Sequence, residues 1–344
     1  TINSDFYTSD GSPDYIALIV FGASRLEEKN SNFDDELGRF NGENFCRKFI
    51  ETPEIMGIPE LHVLAEKLIQ IFRPEFSLEQ RESTPPTIII DIDHLYAFRG
   101  FNIFHRGVSS LKDFFSGNWK RIKARFDSLD PFDSFQDLTA LQRLHPDVRF
   151  QLFAWIGPKR GKFDRGAVIS NSNVKEGLKN ISKAFPGMGI HPSYSGDKRG
   201  INWIKRESGI LSKLINQKVV RLRFHYLKMK IPNIYSAIDK TLIQEDWSMQ
   251  FPRKCGYRAG VAVPIPIWLD DNRGAFNEYG LPHRLWFPVS IMDQNLKDLS
   301  QNELLNFLLE WNSHASRYGS GIQIASHWRF FGPNMSIEKE NKQY

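Results

Sequence analysis

The residues best suited to chemistry are polar side chains that directly follow runs typical of buried β-strands. The apolar run at 88–90 leads into Asp91 and Asp93, two carboxylates separated by one residue. Residues i and i+2 of a strand face the same side, so both carboxylates can enter one site. An aspartate together with neutral histidines is a ligand set for zinc-type metals, and a second carboxylate can accept a proton from water.

Further polar residues take the same position behind other predicted strands. They are His191, Arg223, His225, Asp246 and His327. If the strands are parallel, these side chains meet at one rim, which is where (β/α) barrels place their sites. We therefore expect a functional site at this rim. The competing interpretation of each single residue is ordinary ion pairing, for example of Asp91 with Arg223.

Strand and helix patterns alternate after residue 86, which positions these residues. Extended patterns predict strands at 88–92, 148–156, 188–191, 219–224 and 322–326, and helical spacing predicts helices at 111–126, 174–185 and 201–215. Ser300 and Glu303 form the Ser-x-x-Glu pattern of a capping box, which predicts the start of a further helix. Short connections between such units imply parallel strands with right-handed crossovers. The number of units over roughly 260 residues favours an α/β barrel over an open sheet.

A proline-containing segment, "ESTPPT" at 82–87, divides the chain. Its two prolines disfavour helix and favour extended backbone, as expected of a linker. We predict a small accessory domain at 1–84, α/β or mostly helical, and a barrel domain at 85–344.

The charge distribution and the cysteine content argue against a nucleic-acid binder and against a thiolate zinc site. With 45 basic and 40 acidic side chains the net charge is +5, and the basic residues are spread along the chain. The densest basic segment runs from Lys159 to Lys162, with Arg165 after it; we interpret it as a loop with a weak case for contact with an acidic polymer. A nucleic-acid binder typically has a longer basic face, so no nucleic-acid partner is predicted. The two cysteines, Cys46 and Cys255, form no thiolate zinc motif.

The sequence has no apolar run long enough to predict a membrane span, because about 18 consecutive apolar residues are needed. The chain begins at Thr1 rather than Met, so export followed by removal of a signal peptide remains an open alternative.

Five segments resemble a known family. They are "DIDHLYAF", "GIHPSYSG", "RFHYLKMKIPNIY", "EDWSMQFPRKCGYRAG" and "FPVSIMD". In this order and spacing they resemble the polysaccharide deacetylases with NodB homology from Bacteroidetes, which carry an extra N-terminal domain. The segments "DDELGRF" and "FIETPEI" are similar to that domain. The resemblance implies a distorted (β/α) barrel of the NodB type and a hydrolase that removes acetyl groups from N-acetylated sugars or polysaccharide, with metal-bound water as the nucleophile.

The resemblance also implies roles for individual residues. The catalytic set is Asp91 as the base, Arg223 as the group that orients it, and His327 as the general acid. The implied ligands of a divalent metal, expected to be zinc, are Asp93, His191 and His225. Ser195 stands where the family has its second metal-binding histidine, so His225 is our candidate for the third ligand. The residues expected to bind the carbohydrate substrate are Tyr194, Ser195, Trp247 and Arg258.

Two other functions remain open at this stage. A barrel that has lost activity and binds carbohydrate, or serves as a scaffold, predicts no stoichiometric metal and an empty pocket beside Ser195. A glycosyltransferase would use Asp91 and Asp93 as an Asp-x-Asp motif for a metal and a nucleotide sugar. The family resemblance places the protein in the cytoplasm or at the cell envelope, and the sequence leaves the oligomeric state undetermined.

Overall fold

A computed structural model describes residues 6–29, 35–40, 57–78, 82–101, 103–199, 202–231, 234–238, 241–267 and 284–332 of the chain. Two compact units are present. The first combines residues 1–87 with 226–325, and the second combines 88–225 with 326–344. The second unit holds the strand-end residues Asp91, His191 and Arg223. The predicted division at residue 84 stays a prediction, since the first unit draws on both sides of it.

The second unit repeats a strand–helix pattern. Its strands are β1 (Thr87–Ile92), β2 (Arg149–Ala154), β3 (Gly189–Ile190) and β4 (Arg221–Leu222), and its helices are α4 (Ile103–Phe115), α5 (Trp119–Ala124), α6 (Phe135–Leu144), α7 (Ser172–Ala184) and α8 (Trp203–Ile215). The strand order is β4-β3-β2-β1. β2 pairs with β3 and β3 with β4 in parallel, through Ala154 opposite Ile190 and Ile190 opposite Leu222. Parallel strands joined by helices are the repeat of a (β/α) barrel, so the predicted α/β class is confirmed.

The core of this unit consists of the strand residues that the apolar runs predicted. Ile90, Phe153, Ile190 and Leu222 are completely excluded from solvent. The helix predicted at 111–126 is instead two helices, α4 and α5. The break has a local cause: Gly117 adopts a left-handed conformation (φ 67°) that favours glycine, and Asn118 then caps α5 by accepting a hydrogen bond from Arg121 N.

The first unit contains the remaining elements. Its helices are α1 (Tyr15–Ala23), α2 (Leu26–Lys29), α3 (Glu60–Phe72), α9 (Tyr235–Ile238) and α10 (Gln301–Arg317), and its strands are β5 (Glu245–Met249), β6 (Ile265–Pro266), β7 (Leu285–Pro288), β8 (Ile291–Met292) and β9 (Gln323–His327). β5 pairs with β7 and β8 with β9 in parallel, whereas β6 and β7 are antiparallel. The predicted capping box is present, because Ser300 and Glu303 bond reciprocally at the start of α10.

β9 carries the chain from the first unit back into the second, so His327 at its end belongs to the second unit. The following residue anchors this segment there. Ser134 Oγ donates to the Trp328 carbonyl at 2.6 Å, and Trp328 Nε1 donates to the Leu95 carbonyl at 3.2 Å. The side chain of His327 is thereby fixed close to the end of β1.

Candidate metal centre and active site

The carboxyl ends of the four parallel strands bring the candidate residues together. Beyond each strand the backbone pairing continues by one residue: Trp155 N donates to the Ile92 carbonyl at 3.1 Å, His191 N to the Ala154 carbonyl at 2.9 Å, and Arg223 N to the Ile190 carbonyl at 3.0 Å. These bonds fix the positions of the residues that leave the strands. Parallel pairing in register therefore delivers carboxylates, imidazoles and a guanidinium to one edge.

Asp91 is held by Arg223. Arg223 Nε lies 3.0 Å from both carboxylate oxygens, and both side chains are buried. His191 Nδ1 lies 3.8 Å from Asp91 Oδ1 on the other side. The ion pair that ordinary pairing would predict is therefore present, and it fixes the orientation of Asp91 beside the second carboxylate.

Asp93 faces two imidazoles. Its Oδ1 lies 3.1 Å from His191 Nε2 and 3.5 Å from His225 Nε2. This oxygen is buried and makes no hydrogen bond of acceptable geometry to any described residue. Burial alone would raise the pKa of Asp93, but the His225, His191 and His327 imidazoles outweigh it and hold that pKa well below its usual range. A buried carboxylate of this kind requires positive charge beside it.

Both histidines are oriented by the nitrogen that faces away from Asp93. His191 Nδ1 lies 2.6 Å from the Arg223 carbonyl, and His225 Nδ1 lies 3.2 Å from Asp164 Oδ1. These partners accept hydrogen bonds, which assigns the ring proton to Nδ1. In the neutral rings the lone pairs of both Nε2 atoms then point at Asp93 Oδ1. Metal-binding histidines characteristically donate their other ring N–H to a carbonyl or carboxylate in this way.

Asp164 is the second acceptor of this arrangement and reaches the site from the loop after β2. Its Oδ1 also accepts from Trp155 Nε1 at 3.3 Å and from Tyr194 N at 2.8 Å. Its Oδ2 accepts from Ser195 N at 3.0 Å and from Ser195 Oγ at 2.5 Å. Burial would raise the pKa of Asp164, but the hydrogen bonds from His225 and Ser195 outweigh it and lower that pKa. Asp164 is therefore a carboxylate that ties the Ser195 turn to the His225 ring.

The other oxygen of Asp93 faces two cationic or protonatable groups. Its Oδ2 lies 3.7 Å from His327 Nε2 and 3.7 Å from Arg329 Nη1. The His327 side chain is about one-eighth exposed, at 12%. His327 thus stands at the rim of the cluster, between its buried part and solvent, and is placed to exchange a proton with a bound molecule.

Asp93, His191 and His225 fit a divalent metal. One ligand atom from each lies within 4.8 Å of the others. One carboxylate and two imidazoles are borderline ligands suited to zinc and related ions, and three protein ligands leave a coordination position open. The orphaned Oδ1 and the two lone pairs directed toward it supply the donors that such an ion needs. The backbone after His225 is also unusual, since Tyr226 and Leu227 have φ values of 59° and 55°.

The structure places the remaining predicted residues as follows. Tyr194 is half-buried beside Ser195, and the Ser195 hydroxyl donates to Asp164. Trp247 and Arg258 are buried in the first unit: Trp247 Nε1 donates to Glu245, and Arg258 donates to Glu28 through Nε at 2.8 Å and Nη2 at 2.6 Å. Their role in substrate binding stays a prediction. Cys46 lies outside the described residues, and Cys255 is a buried free thiol.

Sequence reasoning missed two residues of the site, Asp164 and Arg329. Asp164 is the single acid within the basic segment 157–166 and lies in the loop after β2. An isolated acid at the rim end of a predicted strand was the available signal. Arg329 follows His327 by two residues, at the end of the last strand, and carries the same signal.

Comparisons with known proteins give structural neighbours only. No protein-family model matches the chain, and no characterised protein has a significantly similar sequence. A protein from Mycobacterium smegmatis assigned as a polysaccharide deacetylase has a TM-score of 0.44 and 11% identity, over 77% of this chain and 90% of that one. One from Pseudomonas aeruginosa PAO1 with the same assignment has a TM-score of 0.42 and 11% identity, over 74% and 82%.

The PuuE allantoinase has a TM-score of 0.41 and 11% identity, over 75% of this chain and 85% of that one. Two of these three proteins bear the name of the family that the five sequence segments resemble. At this level of similarity they do not assign an activity to the chain. Among the described residues, no helix combines the length and apolarity that crossing a membrane requires.

Proposed function

We propose that this protein is a divalent-metal-dependent amide hydrolase that removes acetyl groups from N-acetylated saccharides. The observation that carries the proposal is the buried, unsatisfied Asp93 Oδ1, toward which His191 Nε2 and His225 Nε2 both point. Asp93, His191 and His225 would hold the ion, which we expect to be zinc. When bound, such an ion lowers the pKa of a water ligand and polarises a carbonyl group.

The residues around the cluster divide the proton chemistry between them. Asp91 acts as the general base, because its carboxylate lies beside His191 and is held in one orientation by Arg223. His327 acts as the general acid that protonates the departing amine, because it stands at the partly exposed rim on the opposite oxygen of Asp93. Separate groups on the two sides of the cluster are what amide cleavage requires, since one proton is removed and another is delivered.

The contacts of Ser195 favour an active hydrolase over an inactive scaffold. Ser195 takes no part in the three-ligand cluster; its hydroxyl and backbone N–H both bond Asp164, which in turn bonds His225. Ser195 is therefore engaged in a network that reaches a candidate metal ligand. We infer that His225 replaces the histidine that the family has at the Ser195 position. The glycosyltransferase alternative would use both aspartates of the Asp-x-Asp motif. It is disfavoured, because Asp91 is paired with Arg223 and only Asp93 of the two belongs to the three-ligand cluster.

Elemental analysis and acetate release test the proposal. Purified protein should contain one divalent metal per chain, and Asp93→Ala, His191→Ala and His225→Ala should each lose it. Ser195→Ala serves as the matched control and should retain the metal. Asp91→Asn and His327→Gln should keep the metal but release acetate from N-acetylated oligosaccharides about 10²–10⁴-fold more slowly, as expected when a general acid or base is removed. Metal-loaded wild type that releases no acetate from a broad panel of N-acetylated saccharides contradicts the proposal.

A further inference from the structure

The loop after β2, residues 157–166, brings a concentration of positive charge to the candidate site. Its sequence, GPKRGKFDRG, contains four basic residues and one acid. Lys159, Arg160 and Lys162 are exposed, whereas Asp164 is buried and its carboxylate is taken up by His225 and Ser195. The single negative charge of the basic loop therefore points inward, and its positive charges point toward solvent.

Both the end and the middle of this basic loop are fixed to the metal centre. A Cβ added to Gly166 would lie 2.3 Å from the Asp93 carbonyl oxygen, so the loop backbone passes directly against the residue that would bind the metal. Two residues earlier, Asp164 accepts the hydrogen bond from His225 Nδ1 at 3.2 Å. The cationic side chains are thus carried on backbone whose position is set by the site itself.

The arginines of the basic loop are held in place by backbone carbonyls. Arg160 Nε donates to the Arg165 carbonyl at 3.0 Å, and Arg165 Nε donates to the Lys162 carbonyl at 2.7 Å. Partial burial of its guanidinium and the positive charge of Arg165 lower the pKa of Arg160. Its Nη groups make no hydrogen bond to described residues and are available as a fork of donors for an anion.

Aromatic rings accompany these charges. The Arg160 guanidinium lies 4.6 Å from the ring centre of Phe101, and the Lys162 ammonium lies 5.2 Å from that of Phe163. Phe163 in turn contacts Tyr194 with ring centres 4.4 Å apart. All three rings are partly exposed. Rings of this kind offer flat apolar faces, while the adjacent cations bind charged substituents.

We propose that the saccharide bound at this site is anionic, with a carboxylate or phosphate group that Arg160, Lys162 and Lys159 bind while a sugar ring lies against Phe163 and Tyr194. The proposal rests on the proposed function, since it names the substrate class of the same site. Charge complementarity selects such a ligand, because the exposed cations of the basic loop form no ion pair with a described carboxylate and can attract an anionic group. A neutral saccharide could accept hydrogen bonds from the Arg160 fork but would bring no negative charge to it.

Isothermal titration of the full-length protein tests the charge requirement. Two matched pairs of probes separate the two anionic groups. Hyaluronan tetrasaccharide against fully N-acetylated chitotetraose tests a carboxylate, and N-acetylglucosamine 6-phosphate against N-acetylglucosamine tests a phosphate. We expect at least one anionic probe to bind about tenfold more tightly than its neutral counterpart at low ionic strength, the sum of several partly exposed charge contacts. The difference should shrink as salt is added.

Charge-removing variants locate the contact. The triple variant Lys159→Gln/Arg160→Gln/Lys162→Gln should abolish the preference, so that the anionic and neutral probes of each pair bind it equally. The control Lys175→Gln/Lys179→Gln/Lys183→Gln removes the same charge from exposed positions on α7 and should leave the preference intact.

Three results would overturn the proposal: equal binding within both pairs of probes, no detectable binding of any probe at millimolar concentration, or equal loss of preference in the two triple variants. Its failure can be told apart from failure of the proposed function. The proposed function is tested by the metal content of the wild-type protein and its acetate release from neutral N-acetylated sugars, and neither measurement involves the charge-removing variants.

Discussion

Replacing Asp164 by asparagine separates metal binding from folding at this site. The substitution keeps the shape of the side chain but leaves one oxygen where there were two acceptors. At present five donors bond to Asp164, three at Oδ1 and two at Oδ2. The amide nitrogen of the introduced asparagine would face a donor whichever way it is placed, either at the Ser195 turn or at His225 Nδ1.

The substitution should change both the folding stability and the metal affinity, each by its own amount. Two donors lose their acceptor if the amide nitrogen replaces Oδ2 and three if it replaces Oδ1, and each that is buried costs about 1–3 kcal/mol of folding stability. The His225 ring also loses the carboxylate that fixes its tautomer and orientation. Loss of such a partner weakens metal binding by about 10–100-fold, which corresponds to about 1.4–2.8 kcal/mol at 1.4 kcal/mol per factor of ten.

Competition with a chromophoric chelator measures zinc affinity, and chemical denaturation of the metal-free protein measures stability. The control is Asp113→Asn, which also removes a buried carboxylate from the second unit but pairs with Arg125, away from the site. We expect both variants to be destabilised and only Asp164→Asn to lose zinc affinity. Equal zinc affinity for Asp164→Asn and wild type, or an equal loss in both variants, would refute the assignment of Asp164 as the residue that orients His225.

Three further predictions concern packing, a buried ion pair and pH. Gly166→Ala should destabilise the protein by about 1–3 kcal/mol and weaken zinc binding, because the new Cβ would lie 2.3 Å from the Asp93 carbonyl; unchanged zinc affinity speaks against this contact. Glu28→Gln should cost about 3–5 kcal/mol in a denaturation experiment, since it removes a buried carboxylate that pairs with two buried arginines, whereas Glu36→Gln, at an exposed pair, should cost under about 1 kcal/mol. Burial lowers the pKa of His62 from 6.5 to about 4, so the unfolded chain takes up a proton first as pH falls, and stability should decline from pH 6.5 to about pH 4 by at most about 3 kcal/mol; a His62→Gln variant with the same pH dependence would disprove this.

Local pattern predicted the elements well where local physics decides them. The β-branched run before Asp91 is β1, and the Ser300–Glu303 capping box starts α10 as expected. Local pattern failed where one residue breaks a longer periodicity, as Gly117 does between α4 and α5. It also gave no means of recognising that residues 226–325 cluster with the N-terminal part of the chain, since that grouping depends on contacts between distant segments.

By itself the sequence determined that four of the polar side chains share one edge of the strands. Alternation along a strand places Asp91 and Asp93 on one face, and parallel strands bring His191 and Arg223 to the same edge whatever the details of packing. These inferences need only the period of a strand and the direction of its neighbours.

Only the tertiary structure decided how those side chains divide the work. Spacing along the chain does not determine whether Arg223 pairs with Asp93 or with the other carboxylate. It also does not determine which ring nitrogen of a histidine faces a metal. Those choices depend on distances of a few tenths of an ångström and on acceptors contributed by other segments. Asp164, which arrives from a separate loop to hold both Ser195 and His225, is the clearest example.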